Sequence, residues 1–225
     1  MTTVLLAGAT GLIGHEFAAQ WQGPGMLHLL VRKPMPIPIP VPQAATPAVT
    51  PELTQIHVVA FRKLPPLPAA EEAYCCLGTT LAAAGSREAF RSVDMDAVLL
   101  FARAAQAAGV RRFAAVSSLG ANARSSNFYS RVKGEMEDAL ATLRFDSLVL
   151  ARPSLLIGDR ASLGQRPRFA ESVAVALARP LAPLIPGRWA PISAARVARG
   201  MQRALAQAKP GVRVVESAEL QRLGR

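Results

Sequence analysis

A glycine-interrupted turn near the start of the chain sets the terms for its fold. Residues 3–7, Thr-Val-Leu-Leu-Ala, form an apolar run stopped by Gly8, and Gly8-Ala9-Thr10-Gly11-Leu12-Ile13-Gly14 then opens a helical pattern from Leu12 to about Gln22. A strand with no polar alternation is apolar on both faces, which suits a parallel strand covered by helices on both sides. Glycines at such a junction let backbone N–H groups and the positive end of a helix approach a pyrophosphate, and the last of them lets helix and strand pack closely. The spacing here is GxxGxxG, which departs from the dinucleotide fingerprint GxGxxG. A tight turn that holds no ligand is therefore the alternative reading.

The same alternation continues down the chain. Strand-like runs recur at Met26 to Val31, Gln55 to Ala60, Glu72 to Leu77, Arg112 to Ser117, Asp146 to Leu150 and Gly211 to Glu216. Between them lie alanine-rich helical stretches at about 88–108 and 128–143, and a late helix from a Ser193 cap to about Ala208. Strands alternating with helices predict an α/β fold: a Rossmann-type, doubly wound parallel sheet with right-handed connections. With 225 residues, 51% of them apolar, the chain suits one core, a single domain spanning 1–225, in which the proline-broken stretch 153–210 forms a small substrate-side region. Residues 34–51 hold 7 of the 18 prolines and predict extended, polyproline-like chain.

Charge and cysteine usage narrow the classes. Lys+Arg 26 against Asp+Glu 15 gives +11. Arg196, Arg199 and Arg203 fall on one face of the late helix, opposite Val197, Met201 and Leu205, and read as a solvated basic face rather than a nucleic-acid or membrane contact. Cys75 and Cys76 are adjacent, so they make neither a disulfide framework nor, with His15, His28 and His57, a zinc spacing; no metal is expected, and a packing role within a strand is. Two unpaired thiols fit a reducing cytosol, the N-terminus lacks a basic leader, and no run of about 18 apolar residues occurs without charge or proline. A soluble cytoplasmic protein is the expectation. Asp94 and Asp96, ahead of a helix, read as cap and first-turn charge.

An NAD site would offer a carboxylate to the adenosine ribose about 20 residues after the turn. Between Glu16 and Glu52 there is no acidic residue, and the second strand ends instead on Arg32 and Lys33. Paired cations suit the extra 2′-phosphate of NADP, so NADP is favoured over NAD.

Chemistry is suggested by Tyr129-Ser-Arg-Val-Lys133, one of only two tyrosines followed by one of only four lysines at a spacing that puts both on one helix face. An adjacent ammonium favours a phenolate, so a tyrosine so placed can exchange a proton with a carbonyl or alcohol. Ser117 and Ser118 end a strand at the carboxyl edge of the sheet, where open α/β folds bind ligands, and either hydroxyl could donate to a substrate oxygen; Ser118 is preferred. Serines at strand ends also serve simply as turn formers.

Taken together, Gly8-Ala-Thr-Gly-Leu-Ile-Gly14, Cys75-Cys-Leu-Gly-Thr-Thr80, Val93-Asp-Met-Asp96, Ser117-Ser-Leu-Gly-Ala121, Ser125-Ser-Asn-Phe-Tyr-Ser-Arg-Val-Lys-Gly-Glu135 and Arg152-Pro-Ser-Leu-Leu-Ile-Gly158 carry a resemblance. The chain resembles an atypical short-chain dehydrogenase/reductase with an extended-type glycine motif, in particular the Tat-interacting-protein-like oxidoreductases. The resemblance implies a Rossmann fold binding NADP(H), with Tyr129 as proton donor or acceptor, Lys133 on the nicotinamide ribose and a serine orienting the substrate. It also implies that Leu77, Gly78 and Thr79 line the cofactor and that Pro153, Ser154 and Leu155 approach the nicotinamide. The proline-rich 34–51 departs from the family pattern, because it leaves no room for the usual second helix.

The resulting expectation is an NADP(H)-dependent oxidoreductase acting on a small carbonyl or alcohol. A cofactor-sensing regulator without turnover and a sugar-nucleotide epimerase or dehydratase are the alternatives. Substrate, direction and oligomeric state stay open.

Overall fold

The two-faced apolar runs become buried strands. The computed structural model describes residues 2–23, 25–35, 53–158 and 189–225. Within them, β1 (Val4–Ala7), β2 (Leu27–Val31), β3 (Thr54–Val58), β4 (Glu72–Cys75), β5 (Arg112–Val116), β6 (Ser147–Arg152) and β9 (Gly211–Glu216) form one seven-stranded sheet in the order β3-β2-β1-β4-β5-β6-β9. Every pairing in it is parallel. A separate two-stranded pair joins β7 (Leu156–Ile157) to β8 (Ile192–Ser193).

Side chains divide by parity along each strand, as a pleated backbone requires. Val4 and Leu6 of β1 and Val149 and Ala151 of β6 enter one core with Phe17, Val197 and Met201. Leu5, Ala7, Leu148 and Leu150 enter the other, with Phe101, Phe113 and Met136. The first layer is supplied by α1 (Leu12–Ala19), α6 (Ala194–Ala206) and α7 (Ser217–Leu223), the second by α4 (Ala97–Ala107) and α5 (Phe128–Ala141). This is the doubly wound architecture read from the sequence. Phe101 and Phe113 are fully buried with their rings 5.8 Å apart, so truncating either to alanine costs about 3–5 kcal/mol.

Several helices differ from expectation. The segment ahead of α4 is broken into α2 (Leu81–Ala84), α3 (Arg87–Arg91) and a π-helical turn, Ser92–Asp96. Thr80 and Ser86 cap α2 and α3 through their side chains, whereas Asp96, at the N-cap position of α4, makes no side-chain cap bond and Asp94 accepts from the Thr79 N–H instead. The basic stripe on α6 is also occupied. Arg199 donates to the Gly224 carbonyl, Arg203 to the carbonyls of Leu223 and Arg225, and Arg196 to Gln221. Arg196 and Arg203 are exposed, as a solvated face requires, and all three arginines also fasten α7, a helix the sequence pattern does not announce. Of the proline-rich stretch 34–51, only Pro34 and Met35 are described; residues 36–51, and 159–188 of the substrate-side stretch, lie outside the described residues.

What the topology positions is the reversal of strand order beside β1. The chain runs outward from β1 to β2 and β3 on one side and to β4, β5 and β6 on the other. The carboxyl ends of β1 and β4 meet there, at the crevice where open α/β sheets take ligands.

Candidate active site

The loop leaving β1 and the loop leaving β4 are packed against each other. The Cys76 N–H donates to the Ala7 carbonyl at 2.8 Å, extending the pairing past the end of β4. Gly8 has φ +89°, and a Cβ there would lie 2.6 Å from the Cys76 carbonyl carbon, so residue 8 is glycine for its backbone conformation and for this close approach. A Cβ on Gly14 would overlap the Gly8 carbonyl, which is the tight helix-to-strand packing expected of the last glycine. Gly11 differs. A Cβ there would meet only the Gly8 oxygen, at 3.4 Å, and Gly11 is the N-cap of α1 with no side-chain cap to satisfy the first-turn N–H groups. The turn is thus an open cradle at a helix N-terminus, the geometry that holds a pyrophosphate.

Arg32 and Lys33 come directly after β2, the strand beside β1, and both are solvent-exposed. Burial pushes the Cys75 thiol up to about 12 and the Cys76 thiol well above its ordinary value, so both pack as thiols, as expected.

Beyond β4, the Thr79 N–H donates to Asp94 Oδ2 at 2.8 Å. Asp94 Oδ1 lies 2.6 Å from Lys133 Nζ, and the two side chains are 1% and 3% exposed. Lys133 therefore does not stand free on its helix face, as its spacing from Tyr129 alone suggests; it is half of a buried ion pair. Burial by itself drives this lysine towards its neutral form, but the Asp94 carboxylate, with Tyr129 adding to it, outweighs burial and holds Lys133 above its ordinary value. Lys133 Nζ also reaches the Val116 carbonyl at the end of β5, at 3.5 Å. Asn127 caps α5 by accepting from the Ser130 N–H, which fixes where the helix begins and places Tyr129 one turn before Lys133. The Tyr129 ring rests against Phe90, with centroids 5.3 Å apart.

Ser117 and Ser118 come directly after β5 and are 3% and 9% exposed, yet neither hydroxyl has a hydrogen-bond partner among the described residues. Buried hydroxyls are normally paired, so two orphans side by side at the carboxyl edge of the sheet mark a place where another group completes the bonding. The Pro153 carbonyl accepts from the Leu119 N–H, and the Leu155 carbonyl from the Ile192 N–H. Ser154 Oγ donates to the Ala190 carbonyl at 2.6 Å and meets Ser217 Oγ at 2.9 Å, so this serine is engaged in holding β8 and α7. The structure thus brings together Leu77–Thr79, Lys133 and the end of β5. Asp94 joins them, although its place ahead of a helix suggests a cap.

A polar cleft beside α5, lined by Asn122, Arg124, Glu137, Asp138 and Arg152, includes none of these residues. Arg152 is spent there in bonds to Glu137 and Glu216. Among the described residues no cluster of metal-ligating side chains occurs, and no helix is long and apolar enough to cross a membrane.

No family model matches the chain. Among relatives, it is 35% identical over 182 residues to "Protein fmp52, mitochondrial" of Emericella nidulans, a match covering 77% of this chain and 73% of that protein. It is 43% identical over 107 residues to "Protein HTATIP2" of Rattus norvegicus, covering 46% of this chain and 44% of that one. With "Protein FMP52-1, mitochondrial" of Scheffersomyces stipitis the match is 44% over 87 residues, 38% of that protein's length. Among solved structures, MoeE5 in complex with UDP-glucose and NAD superposes with a TM-score of 0.68 at 15% identity, covering 97% of this chain and 79% of that one. The ADP-L-glycero-D-manno-heptose-6-epimerase of Helicobacter pylori gives 0.65 at 14%, with the same coverage. These structural likenesses bear on the fold. The fungal names overturn the expectation of a cytoplasmic location. Unpaired thiols argue against an oxidising compartment but do not single out the cytosol among the others.

Proposed function

The chain belongs to the family of the Fmp52 proteins and HTATIP2, and on that premise we propose that it is an NADP(H)-dependent oxidoreductase, moving hydride between nicotinamide and a small carbonyl or alcohol. The observation that carries this reading is the pair of unpartnered, buried hydroxyls of Ser117 and Ser118 at the same strand end that Lys133 reaches from the helix bearing Tyr129.

The residues fit the cofactor. The open cradle at Gly8–Gly14, with Ala9, Thr10, Leu12 and Ile13 forming its backbone, suits a pyrophosphate; exposed Arg32 and Lys33 suit a 2′-phosphate; Leu77, Gly78 and Thr79 line the way from cradle to Lys133. When bound, the nicotinamide supplies or accepts the hydride. The protein does the rest. Tyr129 donates a proton to the substrate oxygen in the reductive direction and takes it back in the other. A hydroxyl from Ser118, or from Ser117, donates to the same oxygen and fixes the carbonyl relative to Tyr129. Lys133, kept charged, holds the ribose hydroxyls and sustains a positive potential beside the phenol. Pro153 to Leu155, at the head of the 153–210 stretch, bound the nicotinamide side, Ser154 through its backbone because its hydroxyl is engaged.

The test is Tyr129→Phe. The variant is expected to bind NADPH with the parent's affinity while losing turnover on every aldehyde, ketone or quinone the parent reduces. A variant that keeps the parent's rate refutes the proton-transfer role. A parallel arm with UDP-glucose and NAD separates this reading from epimerisation, which would interconvert the sugar with no net change in the nicotinamide.

A further inference from the structure

We propose that Asp94 is a positioning residue for this site: one buried carboxylate sets both the Lys133 ammonium and the backbone of the loop after β4. The inference rests on the oxidoreductase reading and adds to it a residue that sequence spacing assigns to helix capping.

Both oxygens of Asp94 are committed, and to different parts of the site. Oδ1 lies 2.6 Å from Lys133 Nζ, and Oδ2 accepts the Thr79 N–H at 2.8 Å. One planar group therefore fixes the distance between the lysine on α5 and the loop after β4. A Cβ added to Gly78 would sit 3.4 Å from Oδ1 and 3.8 Å from Nζ, so the residue beside the pair carries no side chain that could screen it. The placement depends on the π-helical turn. Asp94 is its third residue, 0% exposed, while Asp96 two positions on is exposed. A π-turn inserts an extra residue into the helical ladder and rotates the next turns of helix about the axis, and such turns collect at functional sites.

A buried carboxylate whose only task was stability would be a poor choice, since apolar groups of similar volume usually serve as well or better. The alternative is that the charge is kept because Lys133 must stay protonated and stationary. The Lys133 ammonium is ion-paired with Asp94 Oδ1 and donates towards the Val116 carbonyl, and these two contacts orient the hydrogens it has left to donate.

The experiment uses Asp94→Asn, with exposed Asp96→Asn as control, on the full chain. Asparagine keeps the shape and an acceptor for Thr79 but removes the charge. NADPH affinity, measured by calorimetry without substrate, is expected to fall about tenfold for the loss of a charge-assisted contact. The kcat is expected to fall about 100-fold, the cost of a displacement near 1 Å at a reacting centre, with the KM for the carbonyl changed little. Without any ligand, acetylation by acetic anhydride reads the lysine directly: Lys133 is expected to react at least about tenfold faster in Asp94→Asn, because a buried amine without its counter-ion loses its proton. Lys33, Lys63 and Lys209 are internal references. Asp94→Glu, which keeps the charge but moves it, is expected to restore resistance to acetylation and recover only part of kcat. A folded Asp94→Asn with the parent's kcat and NADPH affinity overturns the proposal; if that variant does not fold, Asp94→Glu with the parent's kcat does so. A parent that binds neither NADPH nor NADH removes the proposed function and the positioning role together. A parent that binds one of them, with an indifferent Asp94 variant, removes the positioning role alone.

Discussion

Removing the charge from one member of the Asp94–Lys133 pair leaves the other buried without a counter-ion, and the cost can be worked from the geometry. Both side chains are almost wholly excluded from water and lie 2.6 Å apart, so the solvent screening that makes surface pairs nearly neutral is absent. Breaking such a pair from one side costs about 3–5 kcal/mol. For a domain of this size each kcal/mol shifts the melting temperature by about 2–4 °C, so Asp94→Asn and Lys133→Met should each melt roughly 6–20 °C below the parent. The double variant should recover most of this, to within about 1–2 kcal/mol of the parent, since asparagine can still accept the Thr79 N–H and no charge remains buried. The assay is urea denaturation of all four proteins at pH 7, read as a double-mutant cycle with an expected coupling of about 4–9 kcal/mol. Proton linkage gives an independent check. Folding raises the Lys133 pKa above its ordinary 10.5, so the pair's stabilisation is fully present below that pH and is lost as pH rises through the folded value. The parent should therefore lose stability relative to Lys133→Met on going above about pH 10.5. Additive single variants, or an Asp94→Asn within about 1 kcal/mol of the parent, would refute the buried-pair argument.

Two further predictions address the cofactor. Gly11→Ala should fold within about 1 kcal/mol of the parent, because its Cβ meets only one oxygen at 3.4 Å, yet weaken NADPH binding about tenfold or more by entering the cradle. Gly14→Ala drives its Cβ into the Gly8 carbonyl and should fail on stability first, losing about 2 kcal/mol or more in thermal melts; equal behaviour of the two would mean the cradle holds no phosphate. Arg32→Ala with Lys33→Ala should weaken NADPH about 10–100-fold and leave NADH almost unchanged in titrations, whereas an equal loss for both nucleotides would place the 2′-phosphate elsewhere.

Much of the fold is legible in the sequence because parallel strands covered on both faces have few residues to choose from. The runs 3–7 and Asp146 to Leu150 read as strands for the reason that Val4–Ala7 and Ser147–Arg152 are strands: inner positions of both parities are apolar. The C-terminal helix is harder to see. Ser217–Leu223 is short and mostly polar, and only Leu220 and Leu223 mark its inner face. Its existence changes the meaning of Arg196, Arg199 and Arg203, which look like a solvated stripe until the carbonyls they serve are known. A donor-rich side chain cannot be classed as free from its own helix alone.

Asp94 is a different case, because a signal for it exists at the level of periodicity. Phe90, Asp94, Val98, Phe101, Ala102 and Ala105 recur at helical spacing, and all are buried. An aspartate in the middle of that stripe cannot be a surface charge if the stripe faces the core, and with helical residues on both sides of it, it is not a cap. Lys133 shows the same anomaly on α5, in step with Met136, Glu137 and Leu140. Two opposite charges, each on the buried stripe of its helix, on helices that cover the same face of the sheet, have few ways to avoid a prohibitive desolvation cost other than meeting. Pairing them on paper takes neither conservation nor a template. The polar residue on an apolar face has only to be treated as the informative one, and in a chain with four lysines the partner is then nearly determined.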